Sequence, residues 1–190
     1  LAAREAFATR PEAQAAQVAL ATHLARLLRE IEPELLGVYW PVRGEFNAIA
    51  ALEADGLSKL PLALPFAQRT PPSMHYRAWD GRAPEGVDDC GLPAPGLATA
   101  VVPDVALLPC IGYTRSGFRL GYGGGYFDRW LDQHPQVTTI GVAPSPSRLP
   151  ARRPLRPRLQ RRATPAASMV APRVDRCERA EQRMRPFHAD

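Results

Sequence analysis

The residues best suited to chemistry lie together in Arg119-Leu120-Gly121-Tyr122-Gly123-Gly124-Gly125-Tyr126-Phe127-Asp128-Arg129. Glycines at 121, 123, 124 and 125 let a backbone approach a ligand with no side chain in the way, and present amide donors. The helix expected next, over 122–131, aims its positive end at an anion. Arg119 and Arg129 add cations suited to phosphate oxygens. Asp128 is a candidate magnesium ligand, because that ion keeps most of its waters and takes only one or two carboxylates. Together the parts describe a polyphosphate site; the plainer reading of the glycines alone is a tight loop with no ligand. A Walker A loop is excluded, since no Gly-Lys-Ser/Thr end follows. A dinucleotide fingerprint wants glycine where Tyr126 stands, and normally follows the first strand of its domain.

The elements that must position this turn are read from apolar spacing. Leu20, Leu24, Leu27, Leu28 and Ile31 recur at helical intervals, which predicts a helix over 11–30, ended before Pro33. A short apolar run over 35–40 closes at Pro41 and reads as a buried strand. Residues 45–55 form a second helix stopped by Gly56. Strands are expected over 60–66, 74–79, 101–108 and 137–143, the first weakened by Pro61 and Pro65 and the third by Pro103. The Gly- and Pro-rich stretch 81–97 is a loop. Strands alternating with helices predict an α/β fold, a single three-layer domain with a mostly parallel, Rossmann-like sheet.

The chain holds 190 residues, enough for one domain with a sizeable core. No apolar run approaches the roughly 18 residues that cross a bilayer. The first ten residues carry two arginines and a glutamate where a signal peptide has its apolar stretch, so a cytoplasmic location is the default expectation. Leu1 in place of methionine reads as an incomplete end or a non-standard start. Cys90, Cys110 and Cys177, like histidines 23, 75, 134 and 188, are too scattered for a disulfide framework or a zinc site, and read as packing residues.

The net charge of +5 invites a nucleic-acid reading, so its location matters. Residues 144–190 hold 12 arginines against 4 acids, a net +8. The preceding 143 residues hold 12 basic and 15 acidic side chains, a net −3. Periodicity also stops after Ala143: 27 of the last 47 residues are Arg, Pro or Ala. Such text resembles an out-of-frame reading of a GC-rich gene, consistent with one lysine (Lys59) against 23 arginines in the whole chain. The rival reading is a disordered basic tail that binds nucleic acid or an acidic partner, with steep salt dependence. The expected boundary therefore separates an α/β domain over 1–143 from a tail over 144–190.

The run from Leu120 to Arg129 is very similar to the signature of the 5-formyltetrahydrofolate cyclo-ligase family, the methenyltetrahydrofolate synthetases. Three further segments agree in order and spacing. Tyr39-Trp40-Pro41-Val42-Arg43-Gly44-Glu45 resembles the family's first strand and folate-contact turn. Leu64-Pro65 and Met74-His75-Tyr76-Arg77-Ala78-Trp79 resemble its next strands, and Pro103-Asp104 with Leu107-Leu108-Pro109 the strand leading into its ATP loop. The likeness covers about residues 10–143.

The resemblance implies an enzyme that converts 5-formyltetrahydrofolate to 5,10-methenyltetrahydrofolate with ATP and magnesium, most simply as a monomer. It places Arg119, Leu120, Gly121, Tyr122, Gly123, Gly124, Gly125, Tyr126, Phe127 and Arg129 on ATP, and Asp128 on the metal. Trp40 and Glu45 would hold the pterin end, with Met74 and Tyr126 also against the substrate. Several departures point to an impaired relative as the alternative. No lysine precedes Lys59, where the family has a phosphate-reaching lysine and arginine, so Arg4 or Arg10 would have to substitute. Cys110 replaces a glycine, Tyr113-Thr114 replaces a Phe-Asp pair, and the segment after Ala143 does not resemble the family's closing chain.

Overall fold

A computed structural model describes residues 2–113, 119–143 and, in backbone, 167–170. Side-chain parity along its strands defines two faces of one sheet. Leu62 and Leu64 of β2 (Leu62–Gln68), Val105 and Leu107 of β7 (Val105–Pro109), and Ile140 and Val142 of β10 (Thr138–Ala143) share one core with Leu36 of β1 (Leu36–Gly37). Helices α2 (Pro11–Ile31) and α3 (Ala48–Ala54) cover that face through Leu20, Leu24, Leu28, Ala48 and Leu52. The intervening residues Ala63, Ala106 and Leu108 face the other way, with Met74 and Tyr76 of β3 (Ser73–Trp79), and meet Trp130 of α4 (Tyr126–Gln133). Period-two alternation in strands thus yields the expected three layers.

The sheet order is β11-β10-β7-β1-β2-β3-β6, with β6 at Ala100–Val101 and β11 at Ala167–Val170. The pairs β11/β10, β10/β7, β7/β1 and β1/β2 are parallel; β2/β3 and β3/β6 are antiparallel. The chain leaves β1 toward β2 on one side and returns to β7 on its other side. That reversal opens a crevice beyond the carboxyl ends of β1 and β7, the place where open α/β sheets bind ligands.

Local chemistry explains where the elements depart from their sequence expectations. The strand expected over 101–108 is split: Pro103 and Asp104 separate β6 from β7, and the Asp104 carboxylate accepts from Leu35 N at 2.7 Å and Glu34 N at 3.2 Å. Helix α3 begins at Ala48 instead of 45, because Asn47 caps it through Ala50 N at 3.1 Å. Helix α4 begins at Tyr126 instead of 122, since the glycine-rich stretch is spent on a turn ending at Gly125, φ +65°. Three features were not expected: α1 (Ala2–Ala8), the small hairpin of β4 (Gly86–Val87) and β5 (Pro93–Ala94) inside the 81–97 loop, and the ladder of β8 (Gly112–Tyr113) with β9 (Arg119–Leu120). The tail reading places no strand beyond Ala143; this is corrected for 167–170, which pair parallel with 140–143 of β10. The rest of 144–190 lies outside the described residues.

Gly37 is the tightest packing point in β1. A Cβ there would lie 2.8 Å from Tyr76 Cε1 and 2.9 Å from Pro103 Cγ, closer than real Cβ contacts come. Tyr76 is fully buried and edge-on to Trp130, so its ring has little room to yield. Gly37→Ala is expected to cost about 1–3 kcal/mol by overpacking, read as a lower urea midpoint. Gly56→Ala, at a position with open space and φ of +70°, should cost only the backbone strain of the left-handed region, about 1–2 kcal/mol.

Candidate active site

Beyond β1 the chain turns sharply: Arg43 and Gly44 have φ of +51° and +73°, and Glu45 N donates to Val42 O at 3.1 Å. Only glycine adopts such a φ without strain, and a Cβ at Gly44 would stand 3.1 Å from Ala8 Cβ of α1. The turn drives Glu45 inward, where it is 8% exposed. Its Oε2 accepts from Val42 N at 2.9 Å, and its Oε1 accepts from Tyr122 Oη and from Arg4 Nη1, the latter at 3.5 Å. Arg4, 2% exposed, donates through Nε to Arg43 O at 3.0 Å and through Nη2 to Val42 O at 3.4 Å and to Tyr122 Oη. Tyr39, on the same stretch, donates to Phe46 O at 2.9 Å.

Beyond β7 the chain passes through β8 and β9 into the glycine-rich turn. Leu120, expected at a phosphate, pairs in the ladder with Gly112 and accepts from Ile111 N at 2.8 Å. Gly123 and Gly125 have φ of +90° and +65°, and a Cβ on Gly123 would meet nothing within 4 Å. The turn is thus open at Gly123, whereas a Cβ on Gly124 or Gly125 would meet Tyr126 Cδ2 at 3.0 Å or Arg129 Nη1 at 2.9 Å. Arg119 Nη2 donates to Asp128 Oδ1 at 2.5 Å, and its guanidinium lies 6.0 Å from the Phe127 ring centroid. Arg129 Nη2 donates to Gly124 O at 2.9 Å and stands 5.1 Å from the Tyr126 ring centroid. Tyr126 Oη is 3.5 Å from Cys90 Sγ, which the Asp88 turn presents: Asp88 Oδ1 accepts from Cys90 N and Leu92 N, each at 2.9 Å.

Of the residues singled out from sequence, two groups flank the crevice beyond β1 and β7: Glu45, and the glycine-rich turn with Arg119 and Asp128. Glu45 and the glycine-rich turn meet through Tyr122, and Arg119 meets Asp128. Trp40 is partly buried on the α2/α3 side, edge-on to Trp79 at 6.3 Å. Met74 packs on the opposite side of the sheet, with Tyr126 and Phe127 at the margin of its cluster. Met74 and Trp40 are therefore not brought together. Arg4, weighed as a substitute for a phosphate-reaching cation, is engaged with the Glu45 carboxylate and, in the glycine-rich turn, with the Tyr122 hydroxyl. The Asp88–Cys90 turn went unread in the sequence, although Asp two residues before Cys90 and four before Leu92 is an Asx-turn signal.

Burial sets the electrostatics. It pushes the Tyr122 phenol up to about 12, helped by the hydrogen bond to Glu45 and opposed by the one from Arg4. Tyr39 and Tyr76 are raised by burial too, with nearby Glu45 adding to the first and Arg119 opposing the second. The Cys110 thiol, 3% exposed, is pushed up to about 11 by burial. Tyr126 is raised chiefly by its hydrogen bond with Cys90. Among the described residues no group of three or more His, Cys, Asp or Glu side chains gathers as a metal site. Asp128, on the first turn of α4, is a single carboxylate beside the turn, which suits an ion that takes most of its ligands from water and phosphate.

Residues 1–145 match the 5-formyltetrahydrofolate cyclo-ligase family. The chain belongs to that family. A 5-formyltetrahydrofolate cyclo-ligase of Mycoplasma pneumoniae is 44% identical over 41 residues, a stretch covering 21% of this chain and 25% of that protein. The chain thus matches about a quarter of that curated relative's length. Two solved structures share the fold. A 5,10-methenyltetrahydrofolate synthetase from M. pneumoniae superposes with TM-score 0.53 at 17% identity, over 73% of this chain and 78% of that one. The NMR structure of the Aquifex aeolicus 5,10-methenyltetrahydrofolate synthetase gives TM-score 0.58 at 23% identity, over 74% and 73%. No described helix is long and apolar enough to cross a membrane.

In this cyclo-ligase family member, Arg4→Ala leaves a buried carboxylate with Val42 N and Tyr122 as partners but no counter-charge. The expected loss is roughly 3 kcal/mol or more in urea unfolding, well above that of the exposed Arg26→Ala, whose Glu30 partner is two-thirds exposed. Cys110 sets an alkaline limit. Its folded pKa lies above its unfolded one, so its contribution is complete below about pH 9 and fades as pH rises toward 11. Unfolding midpoints should fall across that window, and Cys110→Ala should flatten the fall.

Proposed function

We propose that this chain catalyses ATP-dependent closure of 5-formyltetrahydrofolate to 5,10-methenyltetrahydrofolate, releasing ADP and phosphate. The observation that carries the reading is the juxtaposition of a buried, oriented carboxylate and an open glycine-rich turn on opposite walls of the β1/β7 crevice. Glu45 offers an acceptor for an N–H group of a pterin, and Trp40 at the same strand end offers a flat apolar surface. The turn from Gly121 to Gly125, with Arg119 and Arg129 beside it, suits the triphosphate. Tyr126 and Phe127, the residues that follow the turn, would lie where the two ligands meet.

A formyl group on nitrogen is a poor electrophile, and its oxygen a very poor leaving group. Transfer of the γ-phosphoryl group to that oxygen turns it into phosphate, which nitrogen 10 then expels as it closes the ring. The protein's task is alignment and charge neutralisation. Arg119 and Asp128, paired with each other at 2.5 Å, hold opposite charges where a magnesium–polyphosphate needs both. Arg119 would turn to phosphate oxygens and Asp128 to the ion, whose bound charge would offset that of the phosphates. We further propose that the enzyme works as a cytoplasmic monomer, with 144–190 contributing nothing to catalysis.

Methenyl absorbance should appear only when ATP and magnesium are both present. Asp128→Asn should raise the magnesium needed for half-maximal rate at least about tenfold, and Arg119→Ala should lower kcat/KM for ATP by roughly 2–5 kcal/mol of transition-state stabilisation. Folded protein that binds both ligands and never turns over would support the impaired-relative reading, which the engagement of Arg4 with Glu45 favours. Full activity of either variant at limiting ATP would displace the proposed phosphate site.

A further inference from the structure

Tyr122 lies in the glycine-rich turn, yet its side chain leaves the turn and reaches the opposite wall. Its hydroxyl donates to Glu45 Oε1 and accepts from Arg4 Nη2, while the Arg4 guanidinium lies 5.2 Å from its ring centroid. Glu45 Oε2 accepts from Val42 N. An ionised carboxylate offers about four acceptor directions. Oε1 is filled by Arg4 and Tyr122, and one direction of Oε2 is filled by Val42, so the second direction of Oε2 is the one a ligand can use. Rotation of the carboxylate about its Cγ–Cδ bond would break bonds to three separate chain segments at once.

We propose that Tyr122 is a positioning residue for the pterin half of the site: its hydroxyl fixes the Glu45 carboxylate so that Oε2 faces an N–H donor of the substrate ring. This rests on the reading of Glu45 as the pterin acceptor given above. The backbone of Tyr122 stays with the phosphate turn while its hydroxyl serves the other ligand. A phenol in this role must keep its proton, which it does at neutral pH even at its ordinary value, and burial moves it further up. The residue is 46% exposed and Glu45 keeps Arg4 and Val42 N, so removing one oxygen is expected to lower stability without unfolding the protein.

Tyr122→Phe deletes the oxygen and keeps the ring under Arg4. Steady-state kinetics with each substrate varied should show KM for 5-formyltetrahydrofolate rising roughly tenfold, well beyond the rise of up to about threefold in KM for ATP expected from loosening the turn that carries Tyr122. Equilibrium binding of 5-formyltetrahydrofolate without ATP, followed by tryptophan fluorescence, should weaken by a similar factor. In a Glu45→Gln background the same change should add less than about twofold, since the hydroxyl acts through that carboxylate. A raised KM for ATP with unchanged folate binding would assign the hydroxyl to phosphate and overturn the proposal. Full additivity with Glu45→Gln, or a variant identical to wild type, would also overturn it. Wild-type protein that binds no folate sinks the functional reading itself, whereas wild-type binding with an unaffected variant sinks only the role of Tyr122.

Discussion

The structure around the crevice depends on keeping one buried carboxylate solvated by protein. Withdrawing an ionised carboxyl from water costs several kcal/mol unless charges and donors replace the water. Glu45, 8% exposed, obtains them from three places: Val42 N within its own turn, Arg4 from α1, and Tyr122 from the glycine-rich turn. Positions 4, 45 and 122 are far apart in sequence, and this one group brings them together. Helix α1 has seven residues, too few to be stable alone in water. Arg4, bonded to Glu45, Tyr122 and two carbonyls of the 42–43 turn, supplies a tertiary anchor that its propensity lacks.

Regular burial made much of this legible in the sequence. Leu20, Leu24 and Leu28 announced α2, and the runs ending at Leu108 and Ala143 announced β7, beside β1, and β10, beside β7. The glycine-rich turn was legible because its residue types have few other uses in that arrangement. What periodicity does not report is where a charged side chain goes. Arg4 looked like a spare cation for phosphate, because nothing in a linear chain shows that a turn 40 residues away buries a lone acid. Asp104 and Asn47, which reset the starts of β7 and α3, act through one or two side-chain bonds to backbone N–H groups that leave no periodic trace. The strand at Ala167–Val170 escaped for a related reason. Composition argued against a buried face, but joining a sheet edge asks mainly for unblocked backbone N–H and C=O groups. Residues 166–171 form the longest run in 144–190 free of both arginine and proline.

The two walls differ in their electrostatic state. At the inner wall, Arg4 and Glu45 are 1% and 3% exposed in their side chains, so salt screens their interaction little. At the outer wall, Arg119 and Asp128 are 19% and 47% exposed, a pair that water can compete for. A buried pair is costly to separate and suits a fixed role. A half-exposed pair exchanges partners readily and suits a ligand that brings both phosphate and metal. The difference in burial therefore matches the difference in task proposed for each wall.

Tethering of the glycine-rich turn follows from the same division. Four glycines give its backbone more freedom than any other stretch of comparable length in the domain, and a loose cradle would lose binding energy to ordering. The turn is restrained at three points: the β8/β9 ladder enters it, α4 leaves it with Arg129 bonded back to Gly124 O, and Tyr122 ties its middle to Glu45 and Arg4. Entry is fixed by backbone pairing of β8 with β9, and exit by the start of α4 with the Arg129 guanidinium on Gly124 O. The middle is fixed by a side chain, and only one long enough to cross the crevice with a polar end can do it. A phosphate-reaching cation at position 122 would add charge to the cradle but would place a second positive group beside Arg4. A tyrosine avoids that repulsion and spans the distance. The cationic work at the phosphates then falls to Arg119 and Arg129, which stand at the two ends of the turn.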